Sequence, residues 1–170
     1  LLQYCGNRPV IFSSDYENML SPEELDRAAV HALEQISGIQ SFRLTNRIRT
    51  NAEISSFIQN MMCLPERKKG RHFPHVTVMY VNDDREADVL LSDAQHQGYQ
   101  VILNEAEPAI CADRLAMGLD QRYFYDRQNY LRSDDRSVRR LFHQLNGAKE
   151  ELLLVVKQNE PLYAVLLDLL

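Results

Sequence analysis

Cysteine is scarce in this chain. Of 170 residues only three are cysteine (Cys5, Cys63 and Cys111), far apart and with no Cys-x-x-Cys pair among them. An odd, scattered set of thiols points to a reducing, cytoplasmic compartment. No apolar run approaches the length of a membrane span and no signal-like segment opens the chain, so no membrane contact is expected. Internal repeats and long low-complexity linkers are missing too. No Gly-x-x-x-x-Gly-Lys-Ser/Thr sequence occurs, so nothing cradles nucleotide phosphates in the way that loop does. No Ser/His/Asp or Cys/His arrangement stands out. Basic charge is also in short supply: a net charge of -5 argues against a nucleic-acid binder held by bulk charge, while leaving room for a local basic groove. The chain opens at Leu1 without a methionine, which suggests a fragment.

What is present is the composition of an ordinary globular protein, 45% hydrophobic and 25% charged, in a length that supports a core. Residues 9–12 read as a short apolar strand. Ser21, Pro22 and Glu24 open a helix with three agreeing signals, and Leu25, Ala28, Ala29, Ala32, Leu33 and Ile36 give it a buried face that Gly38 ends. Residues 75–81, rich in β-branched side chains, are the clearest strand. Asn82 caps a helix to about Gln97 with Ala87, Leu90, Leu91 and Ala94 inward, Gly98 closes it, and residues 99–103 form the next strand. This strand–helix–strand unit implies a parallel pair with a right-handed crossover. Residues 114–119 and 151–156 are further strands, and 122–126 a short strand or a turn. Asp134 or Asp135 starts a helix through Leu145 that breaks at Asn146-Gly147, and Asn159 opens a final helix with little polar surface. Strands alternating with helices predict an α/β three-layer sandwich.

Several side-chain groups carry two readings each. The basic loop at 66–72 contacts nucleic acid or is a solvated loop. Arg132, Arg136, Arg139 and Arg140 line a helix face for a phosphate backbone, or join Asp134 and Asp135 in a salt-bridged surface. Tyr123, Phe124 and Tyr125 stack bases or belong to the core. His72, His75 and Cys63 are zinc-ligand types without a fourth ligand within reach.

The organising stretch is residues 42–58. Phe42 and Leu44 alternate with polar neighbours, as in a half-buried strand. Thr50 with Glu53 makes a capping box, and Ile54, Phe57, Ile58 and Met61 stripe the helix it opens. Arg47 and Arg49 therefore stand between a strand end and a helix start, where open α/β folds bind anions. The alternative is that both arginines only tie loop carboxylates together.

Leu44-Thr-Asn-Arg-Ile-Arg-Thr-Asn51 resembles the fourth motif of superfamily 1 helicases, and most closely that of a bacterial and phage family of helicase-like NTPases. Val10-Ile-Phe-Ser-Ser-Asp-Tyr-Glu-Asn18 resembles their third motif. Residues 115–126 resemble the stretch after their fifth, and residues 141–156 their sixth. The matches run in the family's order over nearly the whole chain. The resemblance implies a mostly parallel RecA-like sheet with helices on both faces. Residues 1–50 would be a remnant of the first lobe and residues 51–170 the second RecA-like lobe. Relatives hydrolyse ATP with Mg2+ in the cleft between two lobes, the first of which brings the phosphate loop. This chain alone is expected to hold no cofactor and not to hydrolyse ATP. The partners implied are the missing N-terminal NTPase lobe, DNA or RNA, or a protein.

Residue by residue, the resemblance makes Arg49 the catalytic arginine on the γ-phosphate, with Arg47 beside it at the nucleotide. Ile48 stands where many relatives stack a tyrosine on adenine. Asp15 and Asn18 match the polar pair of the third motif, Asn18 being one methylene shorter than the usual glutamine. In Ile110-Cys-Ala-Asp113 the fifth motif has lost its glycine and glutamate, and Asp113 remains. Leu145-Asn-Gly-Ala-Lys-Glu150 puts Gly147 in the place of the arginine finger, whose loss costs on the order of 10³-fold in rate. Lys149, two residues on, is expected to point elsewhere and not to replace it. Two functional readings follow: an NTPase lobe with a worn arginine set, or a non-catalytic interaction module that keeps the fold.

Overall fold

Five consecutive apolar residues, Leu152 to Val156, are all buried. A strand with no exposed face belongs in the interior of a parallel sheet covered on both sides. The computed structural model bears this out. It describes residues 51–67, 72–103, 109–133 and 138–170, which fall in the unit Leu44–Leu170.

The elements are α1 (Ala52–Met62), β1 (Val76–Val81), α2 (Asp84–His96), β2 (Gln100–Ile102), β3 (Ala112–Leu119), β4 (Tyr123–Tyr125), β5 (Leu131–Ser133), α3 (Val138–Leu145), β6 (Ala148–Lys157) and α4 (Glu160–Leu169). A 3₁₀ turn, Leu64–Glu66, follows α1. The main sheet has the order β1-β6-β3-β2 with every neighbour parallel. Strands β4 and β5 form a separate antiparallel pair. The sandwich expected from the sequence is therefore present, and its four strands share one sheet.

One expectation fails. The strand–helix–strand unit β1-α2-β2 does not place its strands side by side, because β6 and β3 lie between them. The reason is burial. Three-residue β2 has an exposed first residue and suits an edge, whereas β6, buried along its second half, takes the interior.

Helix α2 covers one face. Its Ala87, Leu91 and Ala94 pack with Val81, Ala116, Leu153 and Val155, and partly buried Leu90 and Val101 join them. The alternating residues Leu152, Leu154 and Val156 point the other way, where α1 and α4 pack. The apolar stripe of α1 forms as its spacing predicts: Ile54, Phe57, Ile58 and Met61 are fully buried, each stabilising by about 1.5–3 kcal/mol.

The helix starts differ in detail from the sequence reading. Asn51, not Thr50, has the capping side chain of α1, accepting from the Glu53 amide at 2.8 Å. Asp83, not Asn82, caps α2 by accepting from the Glu86 amide at 2.8 Å. The Glu86 side chain reaches back past the cap, its Oε2 accepting from the Asn82 amide at 2.7 Å. Helix α4 starts as expected on Asn159. At the far end of α2, Gly98 (φ 89°) takes the left-handed position. The Tyr99 amide then returns to the Ala94 carbonyl at 3.0 Å.

The expected strands at 9–12 and 42–44, the helix opening at Ser21, and the turn with Arg47, Ile48, Arg49 and Thr50 lie outside the described residues. So do Asp15, Asn18, Arg136, residues 68–71 of the basic loop and the helix start at Asp134 or Asp135. Among the described residues no helix is long and apolar enough to cross a membrane.

Candidate functional site

Three segments meet at the amino edge of the sheet, where β2, β3 and β6 begin. The first is the turn from α3 into β6. The Gly147 amide donates to the Gln144 carbonyl at 3.0 Å, and the Asn146 side chain donates to the Phe142 carbonyl at 2.8 Å. The second is the segment entering β3: the Ala112 amide donates to the Gly147 carbonyl at 3.0 Å. The third is the start of α1, where the Asn51 amide donates to the Lys149 carbonyl at 3.0 Å.

Gly147 is buried at the centre of this junction. A side-chain carbon built on it would overlap the carbonyl oxygen of Ile110. The backbone at 110 fills the space that a side chain at 147 would need.

The strand pairing is irregular at the same place. Ala112 pairs with Ala148 and Arg114 with Glu151, so β6 advances three residues while β3 advances two. Such a bulge bends the strand and re-aims its side chains. Here Lys149 reaches Asp113, Nζ to Oδ1 at 3.1 Å, and both side chains are largely in solvent. Hydrogen bonding and attraction to Asp113 hold the Lys149 pKa above the ordinary lysine value.

Behind this pair lies a tighter cluster. Oε2 of Glu151 accepts from the Tyr99 hydroxyl at 2.6 Å and from Arg114 Nε at 2.8 Å, with Arg114 Nη2 at 2.6 Å. Arg114 Nη1 donates to the Gln97 carbonyl at 2.7 Å, and its guanidinium lies 4.4 Å from the centre of the Tyr99 ring. The Tyr99 and Arg114 hydrogen bonds lower the Glu151 pKa. Burial first, and Glu151 second, raise that of Tyr99. A tyrosine held neutral and a guanidinium bonded on three sides are poor acid–base groups near neutral pH. The cluster ties β2, β3, β6 and the end of α2 together. An open depression of about 590 Å³ lies over both groups, lined by Tyr99, Gln100, Cys111, Asp113, Arg114 and Lys149 among others.

Of the residues singled out on the sequence, Asp113 lies at this edge, exposed and paired with Lys149. Lys149 lines the same depression, and Gly147 is not among its lining residues. Arg49, Arg47, Asp15 and Asn18 lie outside the described residues, although Arg49 stands two positions before Asn51 in the chain. Arg132 is not on a helix: it belongs to β5 and pairs with Asp126 at 2.9 Å. Tyr123 is core, and the Tyr125 hydroxyl donates to the Met61 carbonyl at 2.9 Å, while Phe124 is exposed. Among the described residues no three metal-ligating side chains converge. His75 faces Glu53 at 3.7 Å.

The Tyr99, Arg114 and Glu151 cluster was missed on the sequence. Its signal is faint: Arg114 and Glu151 each stand two residues before a buried member of the α2 face, Ala116 and Leu153. Only the register between strands brings them together. Compared with protein-family models, curated proteins and solved structures, the chain matches none.

Proposed function

We propose that this unit is the second lobe of a superfamily 1 helicase-like, nucleic-acid-dependent NTPase, inactive by itself and with a worn arginine set. One observation carries the reading. Asn51, the last residue of the fourth-motif match, Asp113, the one residue left of the fifth, and the turn 146–149 of the sixth lie together at one edge of the sheet. Two backbone hydrogen bonds join them, Asn51 to Lys149 and Ala112 to Gly147. Motifs that act on one nucleotide must share an edge, and chance matches scattered over 100 residues have no reason to. The described edge offers fixed turns and an exposed ammonium but no phosphate-cradling loop, so ATP and Mg2+ would be held by the other lobe. In this reading Arg49 reaches the γ-phosphate from the turn before α1.

The test is the coding sequence upstream of Leu1, followed by turnover of the whole protein. A phosphate-binding loop within a few hundred codons is expected. Arg49→Ala should then lower ATP turnover about ten- to a thousand-fold with folding unchanged. Absence of the loop, or unchanged turnover in the variant, overturns the reading.

A second reading is favoured by a separate observation. The close approach of Ile110 to Gly147 leaves no room for an arginine finger. A lobe so built suits a non-catalytic module that keeps the fold to bind a protein. In that case Arg49→Ala should leave partner binding within about twofold, unless Arg49 lies in the interface.

A further inference from the structure

The bulge in β6 does more than relieve a register mismatch. It places the Lys149 carbonyl on the Asn51 amide, at the positive end of α1, and turns the Lys149 side chain into the open depression. Nearby Arg114 is committed to Glu151 and the Gln97 carbonyl. Lys149 is held by Asp113 alone among the contacts described above, in a pair where both partners are exposed. Exposed pairs contribute little to stability, so the carboxylate can be exchanged at small cost. A phosphoryl group carries more charge than a carboxylate and suits the compact ammonium of lysine.

We propose that Lys149 is a binding site for a polyphosphate anion at the amino edge of the sheet, and that Asp113 is the carboxylate the anion displaces. The proposal rests on the second-lobe reading for the source of that anion. It gives the edge a cation two residues beyond Gly147, where a side chain can be housed. A lysine ammonium is charged through the neutral range with or without Asp113, so binding needs no titration of the lysine. Glu150 also lies within electrostatic reach of the ammonium, which keeps the site weak.

The test is calorimetric titration of the full chain with pyrophosphate at low ionic strength, repeated with ADP. The expected Kd is on the order of 1 mM. Lys149→Ala should weaken it at least about tenfold and Lys149→Arg should preserve it. Asp113→Asn should tighten it about threefold, because the competing carboxylate is gone. Asp84→Asn, which frees Lys157 in the same way at the other end of β6, is the charge-matched control and should leave binding unchanged. Lys157→Ala, at the opposite edge of the sheet, is the control for bulk charge and should change nothing. Equal binding by pyrophosphate and ADP assigns the site to the phosphates; much tighter ADP binding would assign it to a nucleoside pocket and overturn the proposal. It is also overturned if the unaltered chain shows no binding at about 20 mM pyrophosphate, if Lys149→Ala binds as well, if Asp113→Asn weakens binding, or if Lys157→Ala loses as much. Each of those outcomes leaves the upstream coding sequence to decide the second-lobe reading independently.

Discussion

A side-chain carbon on Gly147 would stand 1.9 Å from the carbonyl oxygen of Ile110 and 2.9 Å from that of Gln144. Both are backbone atoms, which cannot swing aside as the end of a side chain can. The Ala112 amide on the Gly147 carbonyl fixes the two segments against each other.

Gly147→Ala should therefore destabilise the protein by about 2 kcal/mol or more. Gly118→Ala is the control, since its nearest neighbour would be the flexible end of Leu91 at 3.9 Å. Urea denaturation of both variants checks this. Gly147→Arg, which puts an arginine at the finger's position, should lose stability and gain no turnover. A Gly147→Arg protein as stable as the parent would mean that residues 110–112 move aside readily.

The Glu151 cluster makes stability depend on pH in two directions. The folded state lowers the Glu151 pKa, so its contribution is present above the ordinary glutamate value and is lost as pH falls through the folded value. The folded state raises that of Tyr99, so its contribution is present below the ordinary tyrosine value and is lost as pH rises through the folded value. Glu151→Gln should cost about 1 kcal/mol or less at pH 7, given its partial exposure. The deficit should shrink at pH 3. Denaturant midpoints at the two pH values measure it; a deficit independent of pH would mean that packing, not charge, dominates.

Asn159 separates capping from anchoring. Its Oδ1 accepts from the Leu162 amide at 3.2 Å, while its Nδ2 donates to the carbonyls of Asp120 at 2.9 Å and Tyr123 at 2.7 Å. Asn159→Ala should cost about 2–3 kcal/mol, the sum of a lost cap and two carbonyls, one buried and one partly buried, left without this donor. Aspartate caps helices as well as asparagine does, yet Asn159→Asp should fare no better here, because a carboxylate would face two carbonyls. Thermal unfolding of the pair decides. A well-tolerated Asn159→Asp would show that only the cap matters.

Nucleotide affinity of this chain alone should be weak, with ATP·Mg2+ binding no tighter than about millimolar, since no phosphate-cradling loop occurs in its sequence. Calorimetry tests this, and micromolar affinity or steady turnover would contradict it.

The fold was legible where local pattern and burial agree. The stripe of Ile54, Phe57, Ile58 and Met61, the β-branched run of β1 and the apolar run of β6 each announce their element. Strand order was not legible. Neighbours in a sheet are chosen by which strands can lose both faces to solvent, and that depends on where helices far along the chain come to rest. The caps at Asn51 and Asp83 were misplaced by one residue for a related reason: in Thr50-Asn51 and Asn82-Asp83 two adjacent residues are both competent caps, and only backbone geometry selects one. At the site, the sequence marked Asp113 and Gly147. It could not reveal that Ile110 covers Gly147, or that Lys149 and Asp113 face one another across a bulge, since both depend on register.

The strand order also bears on how the chain can be made. The interior strand β6 is the last of the sheet in sequence, and among the described residues β1 pairs with no other strand of the main sheet. During synthesis β2 and β3 can pair as soon as they emerge, but β1 must wait for about 70 further residues before its neighbour exists, a separation read from Val81 to Ala148. Until then its apolar residues Val76, Val78 and Val81 have no strand beside them. The nascent chain thus carries an open, β-branched edge over that whole interval. Its solubility at that stage should depend on chaperones more than the stability of the finished sheet would suggest.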